Sequence, residues 1–318
     1  MQSTSNQKLY IIGNGFDKGH GLACGYMDFY KYLENNRKDI LTTLSEFYDI
    51  REKSQLWADF ENNLEKEINY DSLTEIIKEN TPNLASEDFR DRDWYTAQYE
   101  IENKCDELLK ELRKGFEEWI NSLQISKLNK TYNLDPSAYY LTFNYTEVLE
   151  IIYKIPTSNI THIHNKVREK LIFGHGKNIE DFNVKEALYG SKNPFISYDI
   201  NGDIESHEIG HEQFAENAVY TFYDKMRKHT EEIIDNHSAF FNQLSNIKEV
   251  IVLGHSYNEI DKPYFKHIAA SISPNAKWIL CYYNDEDKKH AIKLMKELNI
   301  KQNQQEYKQS NTLKINLL

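Results

Sequence analysis

Short apolar runs that end abruptly in polar turns constrain the fold of this chain more than any other feature. Runs of aliphatic and aromatic residues this short are typical of strands buried on both faces of a parallel sheet. The stretches between them have helical spacing, so that strand, turn and helix alternate. We therefore predict an α/β fold, with a mostly parallel Rossmann-like sheet and helices on both of its faces. The runs, with the turns that follow them, are residues 9–15, 138–144, 247–254 and 276–284.

A long helical segment interrupts this alternation after the first run. Apolar residues in its last part, which include Leu112, Phe116 and Trp119, fall on one helical face. Because residues 26–128 contain no strand-like run, we predict that they form a large helical insertion. Residues 1–25 and 129–318 would then form one nucleotide-binding α/β domain.

Weaker patterns predict the remaining elements. Residues 160–163 and 171–173 have the composition of short strands. Residues 205–244 have helical spacing, and the terminal LKINLL suits an edge strand.

Charge and cysteine content disfavour several classes of protein. The net charge of −12 opposes non-specific binding to a polyanion, so we do not expect a nucleic acid partner. Cys24, Cys105 and Cys281 form no CxxC pair, which is typical of reduced thiols in a cytoplasm rather than of a thiolate zinc site. No apolar run reaches membrane length and the N-terminus has no apolar signal core. We therefore expect a cytoplasmic protein without a membrane partner.

The turns that follow the strands are the best candidates for a functional site, because open α/β sheets bind ligands beyond the carboxyl ends of their strands. Two glycines in the first turn let the backbone approach a ligand closely, and their N–H groups suit a phosphate. A tight turn without a ligand needs the same glycines. The residues that we predict to bind the ligand are Gly13, Asn14, Gly15, Phe16, Tyr145, His175, Gly254, Ser256 and Asp261.

Four polar residues at these turns are candidate catalytic groups. Asn144 ends a buried strand, where its amide can hold a water or a sugar hydroxyl, or can merely cap the following helix. His164 lies near the carboxyl end of its strand and can act as a general base near neutral pH, or can be a buried hydrogen-bonded side chain. Asp17 and His255 complete the set. We expect Asn144, His164 and the turn at residues 13–15 to share one pocket.

Metal binding is the rival use of these side chains. The candidate ligands are dispersed over several turns without the spacing of a strong ligand motif; they are His20, His164, His175 and His255 with Asp17 and Asp261. His207 and His211 have i, i+4 spacing on a predicted helix, but a solvated helix face shows the same pattern. We therefore predict no metal site.

Six segments, taken together and in order, resemble the AbiH family of bacterial phage abortive-infection proteins. The resemblance spans most of the chain, from about residue 9 to about residue 284, and the fixed order of the segments makes it more specific than any one segment does. The resemblance implies a role in antiviral defence by abortive infection. The segments are LYIIGNGFDKGHGL, LWADFE, LTFNYTEVLE, THIHN, LIFGHG and VIVLGHSYNEIDKPYF.

The chain also resembles, more distantly, the sirtuin-like NAD-binding domains. Residues 13–15 and 254–256 match their Gly-rich and Gly-x-Ser turns, and Asn144 matches the Asn of their Thr-x-Asn turn. His164 matches their catalytic His, and defence-associated members of that group consume NAD with the Asn and the His. The sequence departs from the pattern at Thr146, where many such domains carry an acid, and at Asn165, which replaces a Gly.

The two resemblances imply an anti-phage effector that hydrolyses the nicotinamide–ribose bond of NAD or of a related nucleotide, with NAD as substrate and no separate cofactor. The first turn would hold the pyrophosphate, Asn144 would position the ribose or the attacking water, and His164 would be the general base. Asp17 and His255 would shape the ribose end. A phage trigger protein and a second copy of the chain are further expected partners.

Two other functions stay open at this point. One is a metal-dependent phosphoesterase or nuclease effector, and the other is a non-enzymatic sensor that binds a nucleotide or a phage protein.

Overall fold

The computed structural model describes residues 7–48, 56–57, 60–83, 85–189, 196–198, 204–207 and 211–314. The chain forms two compact units. The first unit comprises Met1–Phe29, Phe116–Ile172 and Lys228–Leu318, and the second comprises Tyr30–Gly115 and Phe173–Arg227.

A six-stranded parallel sheet, in the order β3-β2-β1-β6-β7-β8, forms the centre of the first unit. β1 pairs in parallel with β2 on one side and with β6 on the other, so Leu9 faces both Tyr139 and Val250. β4 and β5 form a separate antiparallel pair in the second unit. The strands are β1 Lys8–Ile12, β2 Tyr139–Thr142, β3 Ile160–His162, β4 Ile196–Tyr198, β5 Ile204–His207, β6 Glu249–Leu253, β7 Lys277–Tyr282 and β8 Gln305–Gln309.

Helices connect these strands. Six α-helices of the described residues lie between β1 and β2 in the chain order, which confirms the predicted large helical insertion after the first strand. The α-helices of the described residues are α1 Asn14–Gly19, α2 Tyr26–Asn36, α3 Lys38–Phe47, α4 Phe60–Asn63, α5 Asp71–Glu79, α6 Thr96–Ser122, α7 Val148–Ile151, α8 Val184–Tyr189, α9 His211–Met226, α10 Thr230–Asn236, α11 Ser238–Phe241, α12 Lys262–Ser271 and α13 Asp285–Glu297.

The sheet has a separate apolar core on each of its faces. Leu9 and Ile11 pack into one core, together with Phe265 of α12. Tyr10 and Ile12 pack into the other, which contains residues that follow α1 and residues of α7. Because successive side chains of a strand point to opposite faces, a strand that is apolar throughout needs helices on both sides. The predicted α/β class, with its parallel sheet covered on both faces, is confirmed.

Two of the weaker predictions are wrong. Residues 171–173 form no strand, although Leu171 and Phe173 are buried. His207 ends β5 rather than lying in a helix, so it cannot share a helical face with His211, which begins α9. The predicted edge strand LKINLL lies largely outside the described residues, which end at residue 314, and β8 precedes it at an edge of the sheet.

Candidate functional site

The turns that follow β1 and β6 meet at the point where the chain reverses its direction of travel across the sheet. From β1 the chain proceeds to β2 and β3 on one side, and then returns to β6, β7 and β8 on the other. The Gly13 N–H donates to the Leu253 carbonyl at 3.0 Å, and the Gly15 N–H donates to the Gly254 carbonyl at 2.7 Å. Ligands of open α/β sheets bind at such a switch point.

The close approach of the two turns accounts for their glycines. A Cβ atom on Gly13 would lie 2.6 Å from the Gly254 carbonyl oxygen, and one on Gly15 would lie 2.8 Å from it. Gly254 has a φ of +72°, and its own Cβ would overlap the Phe16 nitrogen. These glycines are therefore required by the packing of one turn on the other. Phosphate binding by the first turn stays a prediction.

Asn14 and Phe16 make contacts within the first unit that fix the first turn. The Asn14 side chain donates to the Cys24 carbonyl at 2.8 Å and accepts from the Cys24 thiol at 2.9 Å. Phe16 is fully buried and stacks on Tyr132, with ring centroids 5.2 Å apart. Both residues therefore anchor α1 beneath the turn.

Asn144 is held by hydrogen bonds on three of its polar groups. Its backbone N–H donates to the Thr142 hydroxyl at 3.1 Å, and its side-chain Nδ2 donates to the Gly13 carbonyl at 3.2 Å. Its backbone carbonyl lies 2.9 Å from His162 Nδ1. The side-chain Oδ1 is buried and has no hydrogen-bond partner among the residues that the structure describes. Asn144 therefore presents one fixed, unused acceptor beside the glycine turn.

Asp17 places a buried carboxyl group next to Asn144. The Thr146 hydroxyl donates to Asp17 Oδ2, while Oδ1 is buried without a partner in the described parts of the chain. Burial raises the pKa of Asp17 to about 7, although hydrogen bonds from Thr146 and Asn144 oppose the rise. The carboxyl group therefore exchanges its proton near neutral pH, the range in which general acids and bases work.

A chain of ion pairs, which was not predicted from the sequence, continues from Asn144 towards solvent. His162 Nε2 lies 2.9 Å from Glu150 Oε1, and Lys166 Nζ lies 3.3 Å from the same oxygen. Lys166 also donates to Glu147 at 2.7 Å. Burial would raise the pKa of Glu150, but His162 and Lys166 outweigh it and hold that pKa below its usual value. These residues look like an ordinary charged helix and loop in the sequence, so no signal marks them.

His164 belongs to a different group of side chains. Its Nε2 lies 3.2 Å from the Tyr264 hydroxyl, and its ring meets the Phe143 ring edge-on with centroids 5.3 Å apart. The residue is 3% exposed. Burial and the nearby Lys228 ammonium hold the pKa of His164 well below its usual value, so the imidazole is neutral at pH 7.

His255 forms a buried pair with Asp261 in that second group. The Tyr257 N–H donates to His255 Nδ1 at 2.8 Å, so the ring proton is on Nε2, which faces Asp261 Oδ2 at 3.3 Å. Burial would raise the pKa of Asp261, but the hydrogen bond from His255 and the charge of Lys228 lower it to about 2. Both ring nitrogens of His255 are therefore engaged by the protein, which suits an orienting role better than that of a base.

The predicted catalytic residues make two sets of contacts around the end of β2. Phe143 packs against the rings of both His164 and His255, whereas the side chain of the next residue, Asn144, contacts Gly13 and Asp17. The structure brings Asn144 and the first turn together. That His164 shares one pocket with them stays a prediction.

The end of β3 explains why His162 and His164 contact different groups of side chains. Residues two apart in a continuous strand lie on the same side. β3 ends at His162, however, and Asn165 follows with a φ of +64°. The chain therefore turns at Ile163 and His164, and this turn carries His164 to Tyr264 and Phe143.

Tyr145 and Ser256 lie on the turns themselves. The Tyr145 hydroxyl donates to the Ile172 carbonyl at 2.8 Å, and its ring lies 6.3 Å from that of His164. Ser256 is exposed, and its carbonyl lies 3.3 Å from His290 Nδ1. Tyr145 therefore supports the loop that carries His164, and Ser256 is open to solvent.

His175 belongs to the second unit. It is fully buried, and its Nε2 donates to the Tyr223 carbonyl at 3.1 Å. Its ring packs against that of Phe182 with centroids 5.4 Å apart. Burial lowers the pKa of His175 to about 4, so this ring is neutral. Ligand binding by His175 stays a prediction.

Comparison with models of protein families shows to which family the chain belongs. The family model described as "Bacteriophage abortive infection AbiH" matches residues 9–282. The chain belongs to the AbiH family. The resemblance inferred from the six segments is therefore confirmed. No curated protein matches the chain, and no solved structure does.

No helix in the described part of this AbiH chain is long and apolar enough to cross a membrane. No group of three or more His, Cys, Asp or Glu side chains among the same residues lies in an arrangement that could hold a metal ion. Cys24, Cys105 and Cys281 are buried free thiols, and burial raises the pKa of each, which makes them poor nucleophiles.

Sequence reasoning missed Lys228 and Tyr264 of the AbiH site. Lys228 is 2% exposed, and its charge acts on both His164 and Asp261. It lies in the polar run KMRKHT, which has the appearance of a solvated helix end. Tyr264 is fully buried in the apolar pattern of α12. Neither residue has a local signal, because the tertiary fold alone brings them to His164.

Proposed function

We propose that this AbiH chain is the effector of an abortive-infection response and hydrolyses the nicotinamide–ribose bond of NAD or of a related nucleotide. Family membership supports the defence role. The NAD chemistry is supported by polar groups at the switch point of the sheet and by the distant resemblance to sirtuin-like domains.

The observation that carries the proposal is the unused acceptor of Asn144. A buried polar atom without a hydrogen bond costs about 1–3 kcal/mol, so such atoms are uncommon unless a ligand or water completes them. The Asn144 amide cannot rotate freely, because Nδ2 is tied to the Gly13 carbonyl. Its Oδ1 is therefore suited to accept a hydrogen bond from a ribose hydroxyl or from the attacking water.

The proposed reaction breaks the bond between the anomeric carbon of the ribose and the nicotinamide nitrogen. Nicotinamide leaves with the bonding electron pair, and an oxocarbenium-like ribose forms. The water held by Asn144 adds to the anomeric carbon, and its proton passes to the neutral imidazole of His164 and then to solvent. A strong base is unnecessary, because water attacks an already electrophilic carbon. An ionised Asp17 would stabilise the positive charge.

Purified protein incubated with NAD, with the products separated by chromatography, tests this proposal. Wild type should release nicotinamide and ADP-ribose. His164→Gln and Asn144→Ala should each reduce the rate by about 100- to 10,000-fold if they place or deprotonate the water. His267→Gln is the matched control, since His267 is exposed on α12, and should retain wild-type activity.

Other outcomes would replace the proposal by one of its rivals. A nucleotide that binds without being cleaved would indicate a sensor. Cleavage of RNA, DNA or a phosphate ester that a chelator abolishes would indicate the metal-dependent effector. ATP, RNA and DNA therefore belong in the same assay, each with and without chelator.

A further inference from the structure

His162 stands between two groups that both accept hydrogen bonds. Its Nδ1 lies 2.9 Å from the backbone carbonyl of Asn144, and its Nε2 lies 2.9 Å from Glu150 Oε1. A carbonyl group has no proton to give, so Nδ1 donates to the Asn144 carbonyl, while Nε2 faces the Glu150 carboxyl group. The His162 side chain is 9% exposed and that of Glu150 is 12% exposed.

Lys166 braces this pair from the loop that follows β3. Its ammonium group lies 3.3 Å from Glu150 Oε1 and 2.7 Å from Glu147 Oε1, so it ties α7 to that loop. Asp17 faces the pair from α1, and His162 and Glu150 act on its carboxyl group with opposite signs. Elements from both sides of β2 therefore converge on the peptide group of Asn144.

We infer that His162 and Glu150, braced by Lys166, are positioning residues that hold Asn144 with its Oδ1 towards the ligand. The inference rests on the function proposed for Asn144. His162 fixes the carbonyl of Asn144, Thr142 fixes its N–H, and the Gly13 carbonyl fixes its side chain. Without His162 the peptide group after β2 can rotate, and the amide loses the orientation that places the water. Misplacement of a reacting group by about 1 Å can cost about 100-fold in rate.

Two substitutions separate this role from simple packing. In His162→Asn the side-chain amide nitrogen stands near the position of Nδ1, so it can still donate to the Asn144 carbonyl. In His162→Gln the amide nitrogen reaches the position of Nε2 and keeps the contact with Glu150 instead. Each variant keeps one of the two hydrogen bonds, so a purely structural role predicts similar losses from both.

The experiment measures kcat and KM for both variants, alone and combined with Asn144→Ala. We expect His162→Gln to lower kcat by about 10- to 100-fold with little change in KM, and His162→Asn to stay near wild type. Because His162 acts through Asn144, His162→Gln should cost nothing further once Asn144 is Ala. Equal activity of the two His162 variants, or additive losses with Asn144→Ala, would overturn the inference.

A second measurement keeps the inference testable if no nucleotide is consumed. Protein labelled with ¹⁵N-asparagine gives a side-chain amide signal for Asn144, identified by its absence in Asn144→Ala. That signal should shift or broaden in His162→Gln and persist in His162→Asn. Protection of cells against phage should follow the same order. A wild-type signal in His162→Gln, or protection that survives Asn144→Ala, would refute the positioning role whatever the substrate is.

Discussion

Asp17 supplies a carboxyl group to the turn after β2, although that turn itself has Thr146 where many sirtuin-like domains have an acid. The Thr146 hydroxyl donates to Asp17 Oδ2, which joins residues 129 positions apart in the chain. The sequence predicted Asp17 as a site residue from its place after β1. It could not predict the partner, because a Thr and an Asp so distant have no pattern that links them. Asp17 thus places an acid beside Thr146, the position at which the sequence departs from the sirtuin-like pattern.

Replacing Asp17 should stabilise the protein above neutral pH. Burial raises the pKa of Asp17 from 3.8 to about 7. The folded-state pKa of Asp17 is therefore above its unfolded-state pKa. The contribution of Asp17 to the free energy of unfolding is complete below pH 4 and is lost as the pH rises through 7. Since a difference of one in pKa corresponds to about 1.4 kcal/mol, Asp17 weakens the fold by about 4 kcal/mol at alkaline pH.

Asp17→Asn removes this titration and keeps an oxygen for the Thr146 hydroxyl. We expect its free energy of unfolding, relative to wild type, to rise by roughly 3 kcal/mol between pH 5 and pH 8 in urea titrations. We also expect NAD hydrolysis to fall, since the variant cannot carry negative charge. A stability difference that is the same at both pH values would show that Asp17 does not titrate in this range.

The effect of Asp261 on stability should have the opposite dependence on pH. His255 and Lys228 lower the pKa of Asp261 from 3.8 to about 2. Its contribution to the free energy of unfolding is therefore present above pH 4 and is lost as the pH falls through 2. We expect Asp261→Asn to lower the free energy of unfolding at pH 7 by about 2–3 kcal/mol, because it removes the buried charge that accepts the His255 hydrogen bond and interacts with Lys228. Asp235→Asn, on the exposed end of α10, should change it by less than about 0.5 kcal/mol. A change in Asp261→Asn as small as that of the control would contradict this pairing.

At the scale of elements, the sequence predicted the strands whose residues are apolar throughout and failed where pattern and burial disagree. β1, β2, β6 and β7 were found, because a buried parallel strand needs apolar side chains on both faces. β8 was missed, since QEYKQ is polar as an edge strand can be. Residues 171–173 were predicted as a strand, because burial in a loop leaves the same apolar signature.

The contact between the turns after β1 and β6 gives a prediction at this scale. Gly254 and Gly21 both have positive φ, +72° and +84°, but a Cβ on Gly254 would overlap the Phe16 nitrogen, whereas one on Gly21 would meet nothing within 4 Å. Gly21→Ala should therefore cost about 1–2 kcal/mol from backbone strain alone. Gly254→Ala should cost several kcal/mol more, because α1 must move away from β6. Thermal melts of the two variants compare them directly, and equal losses would mean that the turns are not in contact.

At the scale of the whole molecule, the fold class followed from the sequence, but the grouping of the site residues did not. Alternation of strand and helix is a local property, so it predicted a parallel sheet covered on both faces. The contacts of Asn144 and of His164 depend on where each turn leads after its strand ends. That choice rests on contacts with Gly13 and Tyr264, which are distant in the chain.

The last prediction concerns the whole protein in an infected cell. Cells that express wild type should resist phage in plating assays, and their NAD should fall after infection and not before, because an effector active without infection would kill its host. His164→Gln and Asn144→Ala should lose both protection and NAD decay, while His267→Gln should keep both. His164→Gln and Asn144→Ala should both melt within a few degrees of wild type. A single hydrogen bond contributes about 1 kcal/mol, and such a loss shifts Tm by a few degrees in a protein of this size.

Protection that survives His164→Gln would remove His164 from the mechanism. Protection that is lost in the variants while NAD stays constant in infected wild-type cells would keep the site and exclude NAD as its substrate.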